Sequence, residues 1–221
     1  IDVPGFGVPT HAEAKDVLAG AMLRYARLEA EHGPVQAPRG GVPEKPTVAL
    51  LGEMFPADPM AIGALLEPLG LVAGPVVPTR EWRDLYGALD CAVTAAIHPF
   101  YTASVREFQV AGRPVVGSAP VGVDGTAAWL QAVGDACGTS QKAIGDAKDK
   151  SLPAIKAGLD KHPIRARITL SGYEGSELLV GRLLVESGAV PLALVVERAM
   201  YWDAAGRRWA AGSNAAATRL P

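Results

Sequence analysis

Short apolar runs alternate with amphipathic stretches through the middle of the chain. Each run is bounded by Gly, Pro or Ser, which is typical of a strand buried on both faces of a parallel sheet. The predicted strands are residues 47–52, 71–78, 91–97 and 113–118, and the predicted helices between them are 59–69, 80–89 and 102–112. Asp58 and Pro59 supply an N-cap and a first-turn proline for the first of these helices. Strands that alternate with helices predict right-handed crossovers and an α/β fold with a Rossmann-like parallel sheet.

Weaker patterns precede and follow this central region. A capping-box pattern at 10–13 opens a helical stretch that continues to about Glu31. A Gly- and Pro-rich linker covers 32–46. Two further helices are predicted between 124 and 161, with a break near 137–141.

A second α/β unit is predicted near the end of the chain. It consists of a strand at 165–172, a helix at 174–189 and a strand at 190–196. Residues 197–221 have weak periodicity and are predicted to be loosely ordered. The second α/β unit is therefore predicted to be incomplete.

Composition argues against several classes of function. The 221 residues carry 21 basic and 23 acidic side chains, a net charge of −2, which disfavours nucleic acid as the main partner. No apolar stretch reaches the roughly eighteen residues of a membrane span. The chain begins without a signal-peptide pattern or an initiator Met, so it is interpreted as part of a longer protein. Cys91 and Cys137 are too few for a zinc site or a disulfide framework, and a cytoplasmic location is expected.

The loops that follow the predicted strands carry the candidate site. In open parallel sheets, ligands bind at the carboxyl ends of the strands. Those loops supply an apolar and aromatic set of side chains with a few polar groups: Glu53, Met54, Phe55, His98, Phe100, Tyr101, Ser118, Tyr173 and Glu174. Such a set is typical of a pocket for a large flat ligand.

Each of these residues also has a structural interpretation. His98 could satisfy a backbone carbonyl at the turn before Pro99, and the aromatic residues could be hydrophobic plugs at a helix start. Glu53 and Glu174 could be solvated, or they could hold helix N-termini, where a carboxylate is favourable. The glycines at 5–7 and 172–175 match neither the dinucleotide fingerprint nor a P-loop. The two cysteines are expected to be core residues.

Several long sequence segments resemble a known family over roughly residues 1–190. They are IDVPGFGVPTHAEAKDVLAGAM, LLGEMFPADPM, AAIHPFYTASVREF, VGSAPVGVDGT and SGYEGSELLVGRLL. Together they resemble the chlorophyllide-reducing members of the nitrogenase component 1-like oxidoreductases. The resemblance implies a three-lobed subunit whose Rossmann-like lobes bind no nucleotide. It also divides the chain into four parts: 1–43 as helix and linker from the end of the first lobe, 44–122 as a complete lobe, 123–163 as bridging helices, and 164–221 as an incomplete further lobe.

The resemblance implies partners and cofactors as well. A related Z subunit would pair with this one, and a [4Fe-4S] cluster would lie between them. A separate ATP-dependent iron–sulfur reductase, which alone uses ATP and Mg²⁺, would deliver electrons for reduction of the C7=C8 bond of chlorophyllide a. The cluster cysteines would lie upstream of Ile1, so no metal ligand is expected in this chain. The family pattern fails after about Val190.

The resemblance gives the loop after the third strand a role. Ala96 falls where nitrogenase has a cysteine that ligates its metal cofactor, and His98 falls where nitrogenase has an arginine. The loop would then line a tetrapyrrole cavity, with Phe100 and Tyr101 stacked on the ring and His98 near its magnesium or a propionate. His98 and Glu53 are the candidate proton donors.

Two other hypotheses remain open at this point. One is a non-catalytic tetrapyrrole-binding or subunit-assembly module of the same fold. The other is a small-molecule binding domain of the periplasmic-binding or glycosyltransferase type, against which the missing signal peptide and missing acidic metal-binding pairs count.

Overall fold

A computed structural model describes residues 11–32, 44–52, 58–98, 101–117, 119–170, 177–196 and 216–219. Its central sheet has four strands: β1 (Thr47–Leu51), β2 (Val72–Val77), β3 (Val93–Ala96) and β4 (Val115–Gly117). They lie in the order β2-β1-β3-β4, and every neighbouring pair is parallel. The predicted α/β fold with a Rossmann-like parallel sheet is therefore confirmed.

Helices cover both faces of this sheet. They are α1 (His11–His32), α2 (Pro59–Ala64), α3 (Trp82–Leu89), α4 (Thr102–Val110), α5 (Gly122–Ala136), α6 (Gln141–Lys161) and α7 (Glu177–Glu186). Val48 and Leu50 of β1 pack in one core layer with residues of α2, α5 and α6. Ala49 and Leu51 pack in the other with residues of α1, α3 and α4. Alternate residues of a strand point to opposite faces, so an apolar run without alternation buries both.

The predicted helix at 59–69 is shorter than expected. Asp58 is the N-cap, as predicted, and its Oδ1 accepts a hydrogen bond from the Met60 amide at 3.0 Å. The α-helix ends at Ala64, and a 3₁₀ turn covers Glu67–Leu69. Pro68 has no amide hydrogen to donate to the carbonyl four residues earlier, so the α-helical ladder cannot continue through it.

A second parallel sheet follows, with β5 (Arg167–Leu170), β6 (Val190–Val196) and β7 (Ala216–Arg219) in the order β5-β6-β7. Helix α7 connects β5 to β6 and packs against β6. The expectation of loose order after residue 196 is wrong for 216–219, which pair with β6 from Ala193 to Val196. Pairing through backbone N–H and C=O groups needs no side-chain periodicity, so this strand left no signal in the sequence.

Two further expectations concern membrane spans and the start of α1. Among the described residues, no helix is both long and apolar enough to cross a membrane. Thr10 of the predicted capping box lies outside the described residues, although α1 begins and ends close to the predicted positions. The division of the chain into lobes stays a prediction.

Candidate functional site

The candidate site lies where the connections of the central sheet diverge. The chain leaves β1 toward β2 on one side and leaves β3 toward β4 on the other. In open α/β sheets this switch point opens a crevice at the carboxyl ends of the two strands. Leu51 pairs with Ala96, so β1 and β3 end level with each other. Gly52 and His98 follow these two strand ends, at the edge of the sheet where a ligand crevice is expected.

Gly52, His98 and Tyr101 pack tightly against one another. The rings of His98 and Tyr101 meet edge to face, with centroids 5.5 Å apart at 73°. Gly52 has a φ of +98°, and a methyl group there would lie 2.5 Å from the His98 Cβ and 3.1 Å from the Tyr101 Cδ2. Only glycine combines this φ with such a close approach. The glycine at the end of β1 therefore makes room for the histidine.

Both side chains of this pair are buried. His98 is 8% exposed and Tyr101 is 2% exposed. Tyr101 belongs to the core layer formed with α1, α3 and α4, which is the packing that a hydrophobic plug at a helix start requires. Contact of either residue with a ligand stays a prediction.

The remaining predicted site residues lie outside the described residues. They are Glu53, Met54, Phe55, Phe100, Ser118, Tyr173 and Glu174. Their loops follow β1, β3, β4 and β5, so their assignment to the carboxyl edge of the sheets rests on the strand ends alone. Their roles as substrate contacts, and that of Glu53 as a proton donor, stay predictions.

Sequence reasoning missed Asp16, a buried residue of α1. Its carboxylate accepts hydrogen bonds from the amides of Ala103 and Ser104, both at 2.8 Å, and so caps the N-terminus of α4. The N-cap residue of α4 is Tyr101, which makes no side-chain cap hydrogen bond. Burial raises the pKa of Asp16, and the hydrogen bonds from Ser104 and Ala103 oppose that rise. The sequence did carry one signal: Tyr101 is a poor N-cap residue, so the acceptor for the first amides of α4 had to come from another part of the chain.

Glu186 of α7 performs the same task for α5. Its carboxylate accepts hydrogen bonds from the Val123 amide and, at 3.2 Å, from the Asp124 amide. The N-cap residue here is Val121, which has no acceptor in its side chain. Gly122 has a φ of +70°, and a methyl group at this position would lie 2.7 Å from the Glu186 Cδ.

Carboxylates thus occupy the N-termini of the helices that follow β1, β3 and β4. Asp58, Asp16 and Glu186 hold α2, α4 and α5 respectively. Helix N-termini of this kind bind phosphate in nucleotide-binding Rossmann folds. A phosphate at these ends would have to displace a carboxylate and remain close to its charge. The arrangement favours an uncharged, largely apolar ligand surface at the crevice.

Comparison with known proteins identifies the family. The family model described as nitrogenase component 1 type oxidoreductase matches residues 1–218, so the expectation that the family pattern fails after about Val190 is wrong. The chain belongs to this family. It is 69% identical over 210 residues to the "Chlorophyllide reductase 52.5 kDa chain" of Cereibacter sphaeroides and 60% identical to the protein of the same description from Rhodobacter capsulatus. Each match covers 95% of this chain and 42% of the relative, so the chain spans about two fifths of their length.

Solved structures agree on the fold. A nitrogenase Cp1 structure at pH 6.5 matches with a TM-score of 0.59 and 14% identity, over 86% of this chain and 37% of that one. A second, at pH 5, matches with a TM-score of 0.56 and 15% identity, over 84% and 38% of the respective chains. At these identities the likeness concerns the fold alone.

Nitrogenase component 1 proteins bind iron–sulfur clusters, but the described residues do not fit one. Among them, no group of three His, Cys, Asp or Glu side chains could hold a metal ion. The Cys91 Sγ donates to the Gly87 carbonyl at 3.3 Å, and burial raises the pKa of its thiol. Desolvation also raises the pKa of Cys137. Neither cysteine belongs to a group of possible metal ligands among the residues that the structure describes.

Proposed function

We propose that the chain is part of the catalytic Y subunit of chlorophyllide a reductase. The observation that carries this proposal is the 69% identity, over 95% of the chain, to a relative described as a chlorophyllide reductase chain. The reaction would be reduction of the C7=C8 double bond of chlorophyllide a during bacteriochlorophyll synthesis. Two electrons and two protons are added, and one hydrogen ends on each carbon.

The electrons would reach this subunit from outside the described residues. In the proposal, an ATP-dependent iron–sulfur reductase supplies them, and a [4Fe-4S] cluster shared with the Z subunit carries them. Because Cys91 and Cys137 do not fit as ligands, the cluster is assigned to other parts of the complex.

The part assigned to this chain is to orient the pigment and to place a proton. A planar macrocycle offers a large apolar face, which suits a crevice whose helix N-termini already hold carboxylates. His98 lies at the switch point, and its imidazole can hydrogen-bond a propionate, approach magnesium or donate a proton. Glu53 remains the second candidate donor.

The test uses the full-length subunit, purified without oxygen together with its partner subunit. His98→Ala is compared with His162→Ala, which removes an exposed histidine at the end of α6. Chlorophyllide a affinity is followed by fluorescence quenching, and turnover by the loss of the chlorophyllide absorption band. His98→Ala is expected to weaken binding or slow turnover by about tenfold, the equivalent of one lost hydrogen bond.

Two results would count against the proposal in different ways. If both histidine variants match the wild type, His98 is not part of the site. If the complex binds chlorophyllide a but never reduces it when the reductase and ATP are supplied, the non-catalytic tetrapyrrole-binding or assembly module becomes the better account. Glu53→Gln in the same assay separates the two candidate donors, because only the donor variant loses turnover while keeping affinity.

A further inference from the structure

Asp16 belongs to α1, far in sequence from every residue of the candidate site, yet it holds the helix that begins there. We infer that Asp16 is a positioning residue, which sets His98 for the pigment by fixing the first turn of α4. The inference rests on the proposed function, since it concerns the same pocket.

Helices α1 and α4 are joined by hydrogen bonds between Asp16 and the first turn of α4. The two carboxylate oxygens of Asp16 each accept one amide, from Ala103 and from Ser104, at 2.8 Å. The Ser104 hydroxyl donates back to the Asp16 carbonyl at 3.4 Å. One turn further along α1, a methyl group on Gly20 would lie 3.0 Å from the Ala103 Cβ. The two helices therefore touch at the first turn of α4, and a shift of either helix would displace the other there.

No residue of α4 itself replaces Asp16. The N-cap position is held by Tyr101, and its ring is committed to the contacts with Gly52 and His98. Free amides in the first turn of a helix need an acceptor when they are buried. Asp16 is 3% exposed, so water cannot take its place.

A short path leads from Asp16 to the imidazole. Tyr101 directly precedes the first turn of α4, and its carbonyl accepts the Val105 amide at 3.0 Å. Its ring meets His98 edge to face at 5.5 Å. Rotation or fraying of that turn therefore moves Tyr101, and Tyr101 is the neighbour against which His98 is packed. Displacements of about 1 Å that arise away from the reacting atoms can cost about 100-fold in rate.

The experiment separates positioning from ordinary stabilisation by a double-mutant cycle in the full-length complex. Asp16→Asn keeps one acceptor oxygen and opposes the other amide with its own NH₂, so it is the milder variant; Asp16→Ala removes both acceptors. Ser140→Ala is the matched control, because Ser140 caps α6 through the Ala143 amide at 3.3 Å. Each variant is made alone, and Asp16→Asn is also combined with His98→Ala. Chlorophyllide a affinity is measured at a temperature where circular dichroism shows every variant folded.

The expected result is that Asp16→Asn weakens pigment binding about tenfold and Ser140→Ala does not, because only the first variant loosens the turn that positions His98. In the His98→Ala background the effect of Asp16→Asn should vanish, because Asp16 acts through His98. An unchanged affinity in Asp16→Asn, or the same loss with and without His98, would overturn the inference.

A second readout needs no pigment and keeps this inference apart from the proposed function. The rate at which diethyl pyrocarbonate modifies His98 is followed by mass spectrometry in the same complexes. Asp16→Asn should raise that rate several-fold, and Ser140→Ala should leave it unchanged. If wild type fails to bind chlorophyllide a, the proposed function fails, and the modification rate alone then decides whether Asp16 positions His98. An equal rate in wild type and Asp16→Asn would overturn the inference.

Discussion

The helices of this chain are capped in two different ways. Asp58 and Ser140 cap α2 and α6 from the position directly before the helix, through amides two and three residues away. Asp16 reaches α4 across 87 and 88 residues, and Glu186 reaches α5 across 63 and 62. The N-cap residues of α4 and α5 are Tyr101 and Val121, neither of which makes a side-chain cap hydrogen bond.

This difference shows which parts of the lobe depend on their neighbours. The remotely capped helices are those that follow β3 and β4, at the edge where the pigment is proposed to bind. Asp16 and Glu186 both lie outside the predicted lobe at 44–122. A segment cut at those boundaries would keep α4 but lose its acceptor Asp16, and it would lose α5 altogether.

The largest loss of stability is expected at Gly52, which packs against His98 and Tyr101 just before α4. Gly52→Ala forces a left-handed φ on alanine and drives a methyl group to 2.5 Å from the His98 Cβ, so it should destabilise the lobe by about 3 kcal/mol. Hydrogen exchange of the β1 and β3 amides in the full-length subunit measures this opening free energy. Gly145→Ala in α6, which meets nothing within 4 Å, is the control and should stabilise slightly. Equal exchange in the two variants would contradict the tight packing at Gly52.

Removal of a remote cap should be more harmful than removal of a local one. Asp16→Ala leaves the buried Ser104 amide and the partly buried Ala103 amide without this acceptor and should cost about 2 kcal/mol. Ser140→Ala loses one exposed hydrogen bond and should cost about 0.5 kcal/mol. Pulse proteolysis in urea compares the two variants of the full-length subunit. Equal losses would mean that distance in sequence has no bearing on the importance of a cap in this protein.

The two remote caps should themselves differ. Glu186→Ala is expected to cost about 1 kcal/mol, because one of its two hydrogen bonds is exposed and water can replace the carboxylate there. Exchange of the Val123 and Asp124 amides should accelerate while that of Ala103 and Ser104 stays as in wild type. A larger loss than in Asp16→Ala would reverse the order of the two caps.

The smallest effect concerns pH. Burial raises the folded-state pKa of Asp16 above its ordinary value of 3.8, so the folded state binds the proton more tightly than the unfolded state does. The resulting contribution to stability is complete below the ordinary pKa and is lost as the pH rises through the raised one. Asparagine does not titrate, so the stability of wild type relative to Asp16→Asn should fall over that range and then level off. Urea unfolding of both proteins at a series of acidic pH values measures this relative stability. If the unfolding free energy of wild type minus that of Asp16→Asn stays constant or rises with pH, the predicted direction is wrong.

Much of the fold could be predicted because its signals are local. Continuous apolar runs mark strands that are buried on both faces, and Asp58 with Pro59 marks a helix start, since each depends on residues only a few positions apart. Pro68 ended α2 earlier than the apolar pattern indicated, and 216–219 formed a strand that no pattern marked. His98 and Tyr101 were predicted at the carboxyl end of β3, where they lie; their contacts with a ligand remain to be tested.

Local sequence patterns are enough to predict the strand runs, the alternation of strands with helices, and the local caps. The strand order β2-β1-β3-β4 and the capping of α4 and α5 by Asp16 and Glu186 follow only from the packed fold. This is because a strand or a local cap is stabilised by residues within a few positions of it. A remote acceptor depends on which helices pack together, and until they do, Asp16 is one acidic side chain among 23.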